Sequence, residues 1–193
     1  YNWGNGKFPK YTQPSDGYHG LVFWEKFGKA AFAMRLIAEN QRDLGACQSP
    51  FNSWQLLQGL ETLSVRVQKI CDQAMELAQW LNQHPAVYDV CYLGLPNHPY
   101  HTLANKYLSH GYGGVLTFRV KGGYDQTVRF VESLTLISHV TNIGDVRTLI
   151  THPASTTHRQ LSESDQQAGG VYPDMLRLSV GLEHVDDLKE DLE

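Results

Sequence analysis

The feature that most constrains the fold is a long apolar stripe at helical spacing between residues 49 and 84. Ser49 can cap the free backbone amides of a helix, and Pro50 suits the first helical position because its missing amide hydrogen is not needed there. The stripe consists of Leu56, Leu57, Leu60, Leu63, Val67, Ile70, Ala74, Leu77, Ala78 and Leu81. It predicts one helix of roughly 35 residues, which is long for a globular protein and indicates a spine that links two domains.

On either side of this stripe the apolar pattern is different. Residues 1–20 are rich in Gly, Pro, Tyr and Asn and predict a loop, whereas residues 21–41 predict a helix that Gly45 closes. After residue 84 short segments alternate. Strands are predicted at 87–92, 115–120, within 138–149 and at 175–180, and helices at 99–108, 125–137, 162–168 and 184–193. This order predicts an α/β (α+β-like) layer with a mixed or antiparallel sheet of about four strands covered by helices.

The composition narrows the class of protein. Of the 193 residues 41% are hydrophobic and 11% aromatic, enough to bury a core without disulfide or metal staples. The net charge is −4, so no basic surplus favours nucleic acid as a partner. The sequence contains no run of about 18 apolar residues, so it predicts no membrane-spanning helix. The three cysteines are widely spaced, which favours buried thiols in a reducing compartment and predicts a cytoplasmic protein.

The first residues of the chain lack a methionine, a basic start and an apolar signal core, and they predict the interior of a loop. We therefore expect a fragment of a longer protein, truncated mainly at its N-terminus. An engineered start site would give the same sequence.

A polar segment at residues 148–158 is the first candidate for chemistry. Ser155 lies between His152 and His158, which suggests a nucleophile and its base with Asp145 as the orienting acid. The same histidines suggest a metal site. The alternative is a loop whose hydroxyl groups bond its own backbone, and neither functional spacing matches a recurrent geometry.

Arg177 is the second candidate. In the strand predicted at 175–180, Leu176, Leu178 and Val180 share one face, and Arg177 lies on the other with Met175 and Ser179. A mid-strand arginine is costly unless it meets an anion, and its planar fork suits a carboxylate. An internal acidic partner or an exposed sheet face would explain the residue equally well. Asn142 precedes Gly144 in a predicted turn. Its side-chain amide can face a ligand there, or the residue can be an ordinary turn asparagine.

Four segments together carry a family resemblance: GACQSP at 45–50, GLETLSVR at 59–66, TLITHPASTTH at 148–158 and LRLSVGLE at 176–183. They resemble the Cys/Met-metabolism family of pyridoxal-phosphate enzymes over essentially the whole chain. Within that family the segments WGNGKFP at 3–9, YHGL at 18–21 and NIGD at 142–145 are most similar to the O-acetylhomoserine sulfhydrylases. The resemblance implies residues 1–61 as the trailing edge of the large domain and 62–193 as the small C-terminal domain of fold-type I enzymes.

One departure from the family pattern changes what this chain is expected to do. The family's cofactor-binding lysine lies in a Ser-x-Thr-Lys segment, and none of the eight lysines here follows Ser or Thr. The pyridine-pairing Asp and the stacking aromatic also belong to the missing N-terminal part. We therefore expect no pyridoxal phosphate on this fragment, although the full-length enzyme uses it.

The resemblance also implies a function and a set of binding residues. The full-length enzyme would replace the acetate of O-acetylhomoserine by sulfide or a thiol, in methionine biosynthesis, as a cytoplasmic homotetramer. Arg177 matches the family's carboxylate-binding arginine, Asn142 its neighbour, and Thr157 is a weaker match lining the pocket. A catalytic or metal-binding residue is not expected in this part. The alternatives are a non-catalytic amino-acid-binding or assembly module, and a hydrolase using Ser155.

Overall fold

The computed structural model describes residues 1–193, which form two compact units, Tyr1–Gln58 and Gly59–Glu193. The first unit contains short helices and a cluster of aromatic rings formed by Tyr1, Trp3, Phe8, Tyr11 and Phe32. Its α-helices are α1 (Pro9–Thr12), α2 (Phe23–Phe27), α3 (Ala31–Arg35), α4 (Arg42–Leu44) and most of α5 (Pro50–Glu61), and a π-helical segment, Leu36–Gln41, connects α3 to α4. The single helix predicted at 21–41 was wrong, because Gly28 adopts a φ of 52° that ends α2.

The predicted long spine is also two helices rather than one. Helix α5 ends at Glu61 and α6 (Leu63–Gln83) follows after Thr62, whose φ of −107° and ψ of 2° interrupt the helical path. Arg66 donates to the Gly59 carbonyl at 2.6 Å and to the Thr62 hydroxyl at 3.1 Å. The arginine therefore satisfies backbone and side-chain oxygens at the break.

A five-stranded sheet organises the second unit. Its further elements are β1 (Val87–Cys91), α7 (His101–Tyr107), β2 (Val115–Val120), α8 (Gly123–Ser133), β3 (Ser138–His139), β4 (Leu149–Thr151), α9 (Glu163–Ala168), β5 (Met175–Ser179) and α10 (Val185–Leu192). The strand order is β1-β2-β5-β4-β3, antiparallel except for the parallel β3–β4 pair. The predicted α/β class with a mixed sheet is confirmed. The sheet has five strands instead of about four, because the region predicted to hold one or two short strands, 138–149, leads into two.

One face of this sheet forms the hydrophobic core. Leu116, Phe118, Leu176, Leu178 and Ile150 are essentially fully buried there. They pack in one cluster with apolar residues of α6, α8 and α10, namely Ala74, Leu77, Ala78, Leu81, Val131, Val185, Leu188 and Leu192. The alternation of side chains along β2 and β5 leaves the opposite face for polar residues. None of the helices has the length and apolar character that crossing a bilayer requires.

The turn after β5 is packed tightly against the segment that enters β4. Gly181 donates its amide to the Thr148 hydroxyl at 2.9 Å, and Thr148 in turn bonds the carboxylate of Glu183. A Cβ on Gly181 would lie 2.4–2.5 Å from backbone atoms of residues 146–148. Only glycine fits this approach, since backbone cannot move aside as a flexible side chain can.

We expect Gly181→Ala to lower the free energy of unfolding by about 3 kcal/mol, as for an overpacked core site. Urea unfolding of the 193-residue chain measures this as a lower midpoint. Gly59→Ala is the matched control: it lies in α5 with no atom near its added Cβ, so it should leave the midpoint unchanged or raise it. Equal midpoints for the parent and Gly181→Ala would contradict the packing argument.

Candidate functional site

A row of polar side chains crosses the sheet face opposite the core. Arg177 on β5 pairs in register with Thr117 on β2 and with Thr151 on β4. Residues directly opposite one another on paired strands point to the same side, so the three side chains are neighbours. The face predicted for Arg177 is therefore confirmed, with Leu176, Leu178 and Val180 buried behind it. Thr117 and Thr151 were not identified from the sequence, because the strand period gives no information on register between strands.

The guanidinium of Arg177 has no acidic partner in the chain. Its Nη2 donates to the carbonyl oxygen of Thr141 and, at 3.5 Å, to that of Asn142. None of the ion pairs in the structure includes it. Its Nε is buried and has no hydrogen-bond partner. A buried donor without a partner is costly, and no carboxylate of this chain offsets that cost at Arg177.

A second arginine on the same face provides the contrast. Arg119 on β2 pairs with Asp174, its Nε lying 2.8 Å from Oδ1, and its guanidinium packs over the rings of Tyr88 and Tyr172. Burial alone would raise the pKa of Asp174, but hydrogen bonds from Arg119 and Tyr88 outweigh it and lower that pKa below its ordinary value. Arg119 is therefore neutralised internally, while Arg177 is not.

Asn142 lies in the loop that runs over β5 beside Arg177. The residue is exposed, and its backbone carbonyl faces the Arg177 guanidinium. Two residues on, Gly144 donates its amide to the Ser179 hydroxyl at 3.0 Å. The structure thus brings the backbone carbonyl of Asn142 next to the guanidinium of Arg177. Ser179 was noted in the sequence only as a residue on the same face.

The polar segment at 148–158 is bonded mainly to itself. Thr156 donates to the His152 carbonyl at 2.8 Å, which confirms the interpretation of a loop bonding its own backbone. His152 Nε2 lies 2.8 Å from the carbonyl oxygen of Pro173, so this nitrogen carries the proton. Burial, opposed in part by that hydrogen bond, lowers the pKa of His152, which leaves the imidazole neutral at pH 7. Its Nδ1 then accepts from Ser155 at 2.8 Å.

The nucleophile hypothesis is only partly met by this geometry. Ser155 and His152 touch, but Asp145 is not the orienting acid: it accepts from the Arg147 amide, and a backbone carbonyl holds the imidazole. The amides of Thr156 and His158 both donate to the Pro153 carbonyl, so neither is available to an oxyanion. The contact between Ser155 and His152 is therefore a structural one.

Two further predicted features are placed by the structure. Thr157 is exposed and bonds His158 Nδ1 at 2.8 Å, and it forms no hydrogen bond with Arg177. No group of three or more His, Cys, Asp or Glu side chains is arranged to hold a metal ion.

A cleft of about 500 Å³ is lined by Tyr124, His139, His152, Ser155 and other residues, but Arg177 is not among them. The case for an anion site therefore depends on the chemistry of Arg177, not on a closed cavity.

Comparison with known proteins points to one family. Residues 15–193 match the family model described as Cys/Met metabolism PLP-dependent enzyme. The chain is 50% identical over 192 residues to O-acetyl-L-homoserine sulfhydrylase 1 of Thermus thermophilus, covering 100% of this chain and 46% of that protein. It is 46% identical over 185 residues to the homocysteine synthase of Schizosaccharomyces pombe, covering 96% and 43%. The chain thus spans less than half the length of these relatives.

Solved structures of similar proteins share the fold. A Campylobacter jejuni protein assigned as an O-acetylhomoserine (thiol)-lyase, whose structure contains a pyridoxyl-lysine, matches with a TM-score of 0.89 and 41% identity. The match covers 98% of this chain and 45% of that one. An O-acetylhomoserine sulfhydrylase of Wolinella succinogenes matches with a TM-score of 0.72 and 34% identity, over 88% and 45%.

The contrast between the two arginines gives a stability prediction. Arg119→Met should lower the free energy of unfolding by about 2–3 kcal/mol at pH 7, because it leaves the Asp174 carboxylate unpaired at a largely buried position. Arg177→Met should cost less than about 1 kcal/mol, since it leaves no charge without its partner. Urea unfolding of the two variants beside the parent chain makes the comparison.

The pH dependence of the free energy of unfolding tests whether the Arg119–Asp174 pair causes this difference. Because the pKa of Asp174 is lowered by folding, its stabilising contribution is present above the unfolded-state value and is lost as pH falls through the folded-state value. The difference between the parent and Arg119→Met should therefore shrink in acid. An Arg177→Met variant that is as unstable as Arg119→Met would show that Arg177 serves the fold.

Proposed function

The chain belongs to the family of Cys/Met metabolism PLP-dependent enzymes, and from this premise we propose that it is the substrate-carboxylate-binding part of an O-acetylhomoserine sulfhydrylase. Such an enzyme replaces the acetate of O-acetylhomoserine by sulfide or a thiol and yields homocysteine or methionine. The names of relatives at 50% and 46% identity support this substrate class.

The observation that carries the proposal is the Arg177 guanidinium without an internal acid. Its Nε has no partner, and its Nη2 bonds only backbone carbonyl oxygens. A planar guanidinium can donate two parallel hydrogen bonds to one carboxylate. We assign Arg177 as the clamp for the α-carboxylate of the amino-acid substrate, which fixes the orientation of the bonds at Cα.

Asn142 is proposed to assist this clamp, with Thr157 as a weaker candidate. The backbone contact with Arg177 supports Asn142, because its side-chain amide lies on the loop that borders the guanidinium. Thr157 is exposed on the segment that follows β4, and its hydroxyl bonds only His158 here.

The residues of this chain do not by themselves fit pyridoxal phosphate, which requires a lysine beside the bound substrate. None of the eight lysines lies within a strand of the sheet that carries Arg177. Lys121 donates to the Pro85 carbonyl and Lys189 to Glu76, both away from that face. We propose that residues outside this chain hold the cofactor, and that 1–61 and 62–193 are the trailing edge of the large domain and the small domain.

The surface of α5 supports a missing neighbour. Phe51, Trp54, Leu56, Leu57 and Leu60 are all more than half exposed, and no residue of this helix is buried. Contiguous apolar surface of this kind marks an interaction site. We propose that the N-terminal part of the full-length protein covers it within a homotetramer. Of the three cysteines only Cys71 is buried, so the expectation of buried thiols was wrong for Cys47 and Cys91. We propose a reducing, cytoplasmic location because the wide spacing of the three does not suit a disulfide framework.

In the full-length enzyme, Arg177→Ala should lower kcat/KM for O-acetylhomoserine by roughly 30- to 1,000-fold, the loss of about 2–4 kcal/mol expected for a charge-assisted pair. Initial rates at saturating sulfide measure this. Arg129→Ala is the matched control, because Arg129 is exposed on α8 and bonds only Gln126. Unchanged kcat/KM in Arg177→Ala would remove Arg177 from the clamp.

The 193-residue chain alone should form no stoichiometric Schiff base with pyridoxal phosphate and should have no sulfhydrylase activity. Borohydride reduction followed by intact-mass and peptide analysis measures this, with the full-length enzyme as the positive control. A single lysine of this chain trapped in full yield would contradict the assignment of the cofactor site to the rest of the protein.

A further inference from the structure

The loop that carries Asn142 is tied to β5 at two points. At one end the Arg177 guanidinium donates to the Thr141 carbonyl, and at the other the Gly144 amide donates to the Ser179 hydroxyl at 3.0 Å. Arg177 and Ser179 are two residues apart on the strand and therefore point to the same face. The two ties bracket Asn142 and Ile143.

The two ties differ in what they do when a ligand arrives. A carboxylate held side-on by Nε and Nη2 would use the same nitrogen that bonds the Thr141 carbonyl, so the first tie is not independent of the ligand. Ser179 is only 2% exposed, and its hydroxyl is occupied by the Gly144 amide, so the second tie does not depend on the ligand. Ser179 therefore holds the loop while Arg177 is engaged elsewhere.

The backbone at Gly144 is shaped for this second tie. Gly144 has a φ of 83°, a left-handed conformation that directs the chain back over β5 and that side chains rarely adopt. A Cβ at this position would meet no atom within 4 Å, so the glycine is required by the turn rather than by close packing. The turn presents the amide to Ser179 and leaves the side chain of Asn142 on the exposed side.

We propose that Ser179 is a positioning residue for the substrate-carboxylate site: its hydroxyl fixes the 141–144 loop so that Asn142 stays beside the carboxylate held by Arg177. This inference rests on the function proposed above. Ser179 itself touches no substrate, and its effect is transmitted through the Gly144 amide and the loop.

In the full-length enzyme, Ser179→Ala should raise KM for O-acetylhomoserine about tenfold and change kcat less than twofold, as for an interaction that serves binding. Ser179→Thr keeps the hydroxyl and should restore KM. Thr127→Val is the control, because Thr127 is buried on α8 and its hydroxyl also has a single backbone partner, the Gly123 carbonyl, to which it donates. It should leave KM unchanged even where it lowers Tm.

A double-mutant cycle with Asn142→Ala separates positioning from a general structural role. If Ser179 acts through the loop, Ser179→Ala should raise KM less than twofold in the Asn142→Ala background. Should Ser179→Ala fail to fold, Ser179→Cys replaces it with the same expected rise in KM, because a thiol is a weak acceptor.

Three results would overturn the inference: an unchanged KM in Ser179→Ala, an equal rise in the Asn142→Ala background, or a loss of kcat and Tm with KM preserved. Arg177→Ala is assayed in parallel. If it retains full kcat/KM, the proposed clamp fails; if it loses activity while Ser179→Ala keeps its KM, only the role of Ser179 fails.

Discussion

The pairing of β5 between β2 and β4 is the constraint on which the rest of the second unit depends. Because side chains alternate along a strand, one register sets both faces: Leu176 and Leu178 enter the core, and Arg177 joins the polar row. A slip by one residue would exchange the two sets and bury the guanidinium among helices. Burial of the apolar side chains on the core face therefore fixes the register of β5, and this register places Arg177 on the polar face.

Two arginines on the polar face of the sheet differ in how their charge is compensated. Arg119 forms an internal pair with Asp174, stacked between two tyrosine rings, so its charge is compensated when the chain folds. Arg177 lies on the same sheet face but has only backbone oxygens as hydrogen-bond partners. Folding leaves that desolvation uncompensated, and in the function that we propose the substrate carboxylate would supply what Asp174 supplies to Arg119. A chain can hold such a group because the loss is small beside the burial of the core residues behind it.

Sequence patterns predicted the parts of this structure that depend on local periodicity. The strand at residues 115–120 and the two faces of β5 follow from a period of two, and α9 lies within the helix predicted at 162–168. Breaks in helices were missed, since Gly28 and Thr62 interrupt apolar stripes that continue through them. Thr151 and Ser179 were not assigned because their roles depend on register and on a loop returning over the sheet, which no single segment encodes. The assignment of Arg177 as a carboxylate ligand needed the family resemblance as well.

The openness of the polar row gives a physical reason for our proposal that carboxylate recognition and cofactor chemistry are divided between parts of the full-length protein. A guanidinium on an open sheet face pairs with an anion in the presence of water, and exposed ion pairs contribute only about 0–1 kcal/mol. The same pair becomes strong when surrounding protein excludes water, because the effective dielectric constant falls. Arg177 is half-buried, and its Nε is already shielded from water. The effective dielectric constant around the whole guanidinium would fall further only when another part of the protein covers it. We therefore expect the small domain to provide direction and register, and the part of the protein that covers it to provide most of the binding strength.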